Sequence, residues 1–114
     1  MRVRQGDVYW YDFAEPRGSE PGFDRPVVIV QGDAFNRSPL ATAVCVLLTR
    51  NMKRASMPGN VLLSERDTGL DSVSVANVAE LQTVDRSLLR DPAGRLPGAK
   101  VQAILRGIDT LLGR

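Results

Sequence analysis

The chain has 114 residues, 43% of them hydrophobic and 25% charged, which suits one compact domain and leaves no room for a second. Its net charge of +2 and pI near 9.1 accommodate an anionic partner without requiring one. With no histidine, acid–base work by paired imidazoles, any His-based triad and any His-containing metal site are excluded.

The longest apolar runs, Pro26 to Val30 and Ala43 to Leu48, are too short to cross a bilayer, and the stretch Met1 to Gly6 lacks the apolar segment of a signal peptide. A cytoplasmic protein without membrane association is expected. The single cysteine, Cys45, lies inside an apolar strand-like run and reads as a buried thiol without chemistry.

In chain order, Val8-Tyr9-Trp10-Tyr11-Asp12-Phe13 reads as a first strand introduced by the turn residues Gly6-Asp7. Ala14 to Asp24 carries Pro16, Gly18, Pro21 and Gly22 among charges, the composition of an exposed connection. The β-branched run Pro26 to Gln31 predicts a buried second strand beginning right after Arg25, because proline suits the first position of a strand. Gly32 to Pro39 predicts a turn with one turn of helix, and Thr42 to Thr49 a third, central strand. Met57-Pro58-Gly59-Asn60 is turn chemistry leading into Val61-Leu62-Leu63, and Ser72 to Val78 and Ala79 to Val84 supply two further short β segments. Short strands separated by turn signals point to a small barrel. Asp85 is placed to cap a helical turn at Arg86 to Leu89. From Ala99 onward, Val101, Ile104, Leu105, Ile108, Leu111 and Leu112 recur at helical spacing and predict an amphipathic helix whose stripe must bury itself on the barrel or on a partner.

Arg50, Lys53 and Arg54 cluster after the third strand, with Arg17, Arg25 and Arg37 in other polar segments. Taken singly, each except Arg25 is best read as a solvated loop charge.

Taken together, Gly6-Asp7-Val8-Tyr9-Trp10, Gly18-Ser19-Glu20, Arg25-Pro26-Val27-Val28, Asn36-Arg37-Ser38, Leu48-Thr49, Met57 to Leu63 and Thr83-Val84-Asp85 resemble the MazF/PemK toxin family in order and spacing over nearly the whole chain. The resemblance implies a mainly β fold, an SH3-like small barrel of the MazF/CcdB toxin kind with a C-terminal amphipathic helix, assembled as a homodimer and neutralised by a cognate antitoxin. The activity it implies is sequence-selective, metal-independent and cofactor-free cleavage of single-stranded mRNA by 2′-OH attack on the adjacent phosphate. Its catalytic positions match Arg25 and Thr49. Ser19, Glu20, Gln31 and Asn36 match positions near the family's substrate groove, and Arg50 and Lys53 are expected beside it. Arg25 suits electrostatic stabilisation or proton donation to the leaving oxygen better than general base work, since its pKa lies above ~12. Tyr9 and Trp10 are able to stack on bases, although the one that faces inward belongs to the core.

One departure is visible: where many relatives read Asp-Ser-Val before the Asn-Val pair, this chain has Val73-Ser74-Val75-Ala76-Asn77-Val78, with Asp71 displaced. Two rival readings are a CcdB-like gyrase-poisoning toxin, disfavoured by a C-terminus Leu111-Leu112-Gly113-Arg114 without tryptophan, and a non-catalytic RNA- or protein-binding barrel module.

Overall fold

The protein is described by a computed structural model, in which residues 2–14, 18 and 23–114 are placed. The most apolar segments of the sequence become the middle of the sheet. Strands β1 (Asp7–Asp12), β2 (Asp24–Ile29), β3 (Thr42–Thr49), β4 (Val61–Leu63), β5 (Ser74–Asp85) and β6 (Leu89–Arg95) form one sheet in the order β4-β5-β3-β2-β1-β6, with every pairing antiparallel. Helix α1 (Asp33–Asn36) follows β2, α2 (Glu65–Thr68) follows β4, and α3 (Gly98–Leu111) closes the chain; single 3₁₀ turns span Met52–Ser56 and Arg86–Leu88.

Both faces of the central strands are buried, which is why β2 and β3 read as continuous apolar runs rather than alternating ones. Val28, Val46, Leu48, Ala76 and Val78 pack on one face with Val101 and Ile104 of α3. Val27, Ile29, Cys45, Leu47 and Tyr9 pack on the other with Val3, Val84 and Leu89. The result is a six-stranded half-barrel carrying a C-terminal helix.

Helix α3 lies hard against the turn before β4. A Cβ on Gly107 would sit 2.0 Å from the Gly59 carbonyl oxygen, and Gly59 itself has φ +83°. Glycine at both positions lets the two backbones touch. The apolar stripe of α3 is only partly buried: Val101 and Ile104 are, whereas Leu111 remains 44% exposed and Leu112, beyond the helix, 60% exposed.

Three departures from expectation concern the sheet around the site. β2 begins at Asp24, not after Arg25, because pairing with β1 extends to Asp12 opposite Asp24. The two segments expected around Val78 are one strand, β5, broken only by a shift in its register with β3. Strand β6 is an addition to the expected elements, since Pro92 and Gly94 argue against a strand. A register shift between Val8 and Trp10 of β1 accommodates Asp91, which has φ 49°, and Pro92 as a bulge.

Candidate active site

The site begins with Arg25-Pro26. A residue before proline is held extended, so Arg25 continues the strand. The β2–β3 register of Val27 opposite Leu47 and Val28 opposite Val46, continued outward, sets Pro26 across from Leu48 and Arg25 across from Thr49. Proline has no N–H to give to the Leu48 carbonyl. The Arg25 side chain donates instead, from Nη2 to the Leu48 oxygen at 3.2 Å. One end of the guanidinium is thereby anchored at the mouth of the sheet, in the plane where β2 and β3 part.

The same Nη2 lies 3.5 Å from Oε1 of Glu80. Glu80 reaches it because of the register shift in β5. Leu81 is opposite Val46 while Asn77 is opposite Leu47, so Val78, Ala79 and Glu80 have no partner on β3 and form a wide bulge. Bulges of this kind re-aim side chains beside functional sites. Glu80 Oε1 also accepts from Asn77 Nδ2 at 3.0 Å; Asn60 Nδ2 donates to Asn77 Oδ1 at 3.2 Å, and Asn60 Oδ1 accepts from the Val78 N–H at 3.0 Å. This Asn60–Asn77–Glu80 chain fixes the carboxylate from behind. Sequence reasoning misses Asn77 and Glu80 as functional residues and reads Asn60 only as turn chemistry. The break between two apolar segments at Val78-Ala79 is the available signal.

Thr49 ends β3 with its hydroxyl oxygen accepting from the Asn51 N–H at 3.1 Å, so its proton remains free to donate. Asn51 Oδ1 in turn accepts from the Lys53 N–H and caps the 3₁₀ turn Met52–Ser56. Two adjoining cavities of about 430 and 550 Å³ meet at Arg25, Thr49 and Asn51 and together make an open groove. Trp10, Arg50, Leu70, Asp71 and Ser72 line the first, and Arg54, Met57, Asn77, Glu80 and Leu111 the second. Trp10 is half-buried here, while Tyr9 is in the core, where burial pushes its phenol pKa up, with the Asp7 charge adding to the effect.

The expected site residues divide accordingly. Arg25, Thr49 and Arg50 come together, and Arg54 joins them. Lys53 is exposed on the adjacent turn and lines neither cavity. Gln31 and Asn36 lie at the far end of β2, bonded to each other (Gln31 Nε2 to Asn36 Oδ1, 3.0 Å) and to backbone: Gln31 to Thr42 O and Val44 N–H, and Asn36 to Gln31 O. Arg86 locks the same corner by donating to the carbonyls of Thr42, Asn36 and Phe35 at 2.8–3.1 Å. Ser19 and Glu20 lie outside the described residues.

Residues 4–112 match the family model of the PemK-like, MazF-like toxins of type II toxin–antitoxin systems. The chain belongs to this family. It is 37% identical over 112 residues to endoribonuclease MazF6 of Mycobacterium tuberculosis, covering 98% of each chain, and 34% identical to endoribonuclease MazF of Staphylococcus saprophyticus, covering 97% of this chain and 92% of that one. Among solved structures, an endoribonuclease in complex with its cognate antitoxin from a mycobacterial species superposes with a TM-score of 0.78 at 27% identity, over 97% of this chain and 95% of that chain. MazF of Deinococcus radiodurans shares the fold, with a TM-score of 0.80 at 21% identity over 100% and 99% of the two chains. The curled sheet with its C-terminal helix is thus the MazF architecture, and the chain is an endoribonuclease toxin of this kind. Its groove lies at the Arg25–Thr49 junction.

Proposed function

We propose that the chain, as a cytoplasmic MazF-type toxin, cleaves single-stranded mRNA at short sequences without a metal, by attack of a ribose 2′-OH on the adjacent phosphorus, leaving a 2′,3′-cyclic phosphate and a 5′-OH. One observation carries this reading: Arg25, anchored on the Leu48 carbonyl, faces the groove beside Thr49, with no strand among the described residues covering it. RNA brings its own nucleophile, so the protein has to hold the 2′-oxygen, phosphorus and 5′-oxygen in line and stabilise the charge that gathers on the phosphoryl oxygens. The guanidinium supplies fixed donors for those oxygens, and the free Thr49 proton a further one. Arg50 and Arg54 extend the positive lining for flanking phosphates. Trp10 offers a ring face to a base, worth roughly 1–3 kcal/mol where stacking occurs.

As partners we propose a second copy of the chain and a cognate antitoxin. The exposed Leu111 and Leu112 at the end of α3, with Met57 beside the same groove, support the first. The three arginines of the lining support an antitoxin segment that is extended and partly acidic and that blocks Arg25. RNA cleavage that persists in a stoichiometric antitoxin complex would exclude such occlusion.

The deciding experiment incubates wild-type and Arg25→Ala protein with a long defined single-stranded RNA in excess EDTA and maps the cuts and their 3′ ends. Site-selective cuts bearing cyclic phosphate, lost in the variant, are expected. A well-folded wild-type chain that leaves the RNA intact would refute the reading.

A further inference from the structure

A 2′-hydroxyl that attacks phosphorus must lose its proton, and a guanidinium that is already fully protonated is ill suited to receive it. With no histidine in the chain, a carboxylate is the natural acceptor. Among the described residues, three carboxylates line the groove. Asp24 is paired with Arg90, and Asp71 is exposed and accepts only from Ser72 Oγ at 3.4 Å. Glu80 alone touches Arg25. Its Oε1 takes both recorded donors, Arg25 Nη2 and Asn77 Nδ2, while Oε2 has no donor among the described residues.

We propose that Glu80 is the general base of RNA cleavage, with Asn77 and Asn60 as positioning residues; this rests on the endoribonuclease reading above. A phosphate held by the remaining Arg25 donors, on Nη1 and Nε, brings its neighbouring ribose toward a carboxylate 3.5 Å from Nη2 of the same guanidinium. Glu80 then takes the 2′-OH proton as the 2′-O–P bond forms and the P–O5′ bond breaks. The departing 5′-oxygen is protonated by water in the open groove, and Glu80 returns its proton to solvent, so atoms and charge balance. The β5 bulge is what delivers the side chain: in an unbroken ladder Glu80 would pair with β3, whereas the bulge turns its carboxylate toward Arg25.

The test measures single-turnover cleavage of a defined RNA in EDTA from mildly acidic to alkaline pH by wild type, Glu80→Gln and Glu80→Asp. Glutamine keeps an acceptor for Asn77 and Arg25 but cannot take a proton, and thermal melts establish that each variant is folded. The expected result for Glu80→Gln is a loss of about 10²- to 10⁴-fold at neutral pH, with a rate that becomes first-order in hydroxide as solvent base takes over. Glu80→Asp should keep the wild-type pH dependence with a smaller loss. Cleavage by Glu80→Gln within about threefold of wild type, or a loss with the wild-type pH profile intact, would overturn the assignment while leaving the endoribonuclease reading standing. Absence of cleavage by wild type itself would remove both.

Discussion

Pro26 removes a ladder donor at the place where Arg25 supplies one, so the pair works as a unit: the ring leaves the Leu48 carbonyl free and the guanidinium takes it up. Arg25→Lys should therefore fail where charge alone would suffice, because an ammonium cannot both anchor on Leu48 and present a fork to phosphate. Thr49→Val keeps the β-branched shape and removes only the hydroxyl. It should lower kcat/KM by about 10- to 100-fold without unfolding the protein, as single-turnover kinetics and a thermal melt would establish. The Cys45 thiol is sealed in the core, and burial pushes its pKa up from 9.0 to about 12. A thiol reagent should label it only after denaturation. The raised pKa also gives a sign: the unfolded chain loses this proton first, so the stability it contributes is whole below pH 9 and declines as pH rises from there toward 12. In urea titrations Cys45→Ala should be less stable than wild type by a constant amount below pH 9, because the missing sulfur leaves a cavity, and the gap should narrow as pH rises from there. At this scale the placing of Arg25 and Thr49 beside one groove is legible through the family resemblance that their motifs carry, since an arginine before a strand and a threonine closing one are by themselves ordinary. Glu80 is not, because its role depends on where β5 breaks from β3, and no residue type announces that break.

Element by element, legibility follows burial. β3 and β4 keep their expected bounds, Thr42–Thr49 and Val61–Leu63, because apolar runs flanked by turn residues admit few alternatives. The turn at Arg86–Leu88 carries the expected cap, with Asp85 Oδ1 accepting from the Ser87 N–H at 2.9 Å. Strand β6 escapes a reading of the sequence because its stability comes from tertiary neighbours, and α2 because a single turn has no periodicity to read. Pro92 is tolerated at a bulge in an edge strand, and α2 is a single turn held by a Ser64–Asp67 capping box. The contact between α3 and the turn before β4 also lies beyond periodicity, since it is a matter of missing side chains. Gly107→Ala should cost about 2–4 kcal/mol by forcing the Gly59 backbone away, lowering Tm by roughly 10 °C, because the added methyl group has no room at the Gly59 carbonyl. A melt of Gly107→Ala within about two degrees of wild type would show that the helix slides freely at this point.

For the whole molecule, the near balance of charge is repeated in the groove, where Arg25, Arg50 and Arg54 stand among Asp24, Asp71 and Glu80, so phosphate contact rests on where the three guanidinium groups point and not on a net positive field. Three phosphate contacts predict that RNA affinity falls with salt with a log–log slope of about −2, and that Arg54→Ala makes the slope shallower by about 0.7. Fluorescence anisotropy with an uncleavable 2′-deoxy oligonucleotide between low and moderate salt would measure both. A slope near zero would place RNA elsewhere.

The order β4-β5-β3-β2-β1-β6 leaves the sheet unclosed, with two free rims. One rim is Val61–Leu63 and then the stretch of β5 beyond Ala76, which bulges at residues 78–80, and the other carries Arg90, Asp91, Pro92 and Arg95 along a bulged, irregular strand. Neither rim offers a long flat ladder to a neighbouring chain. A protein whose apolar strands would otherwise invite fibril growth is thereby protected at both ends, and it should stay free of cross-β aggregates even at high concentration.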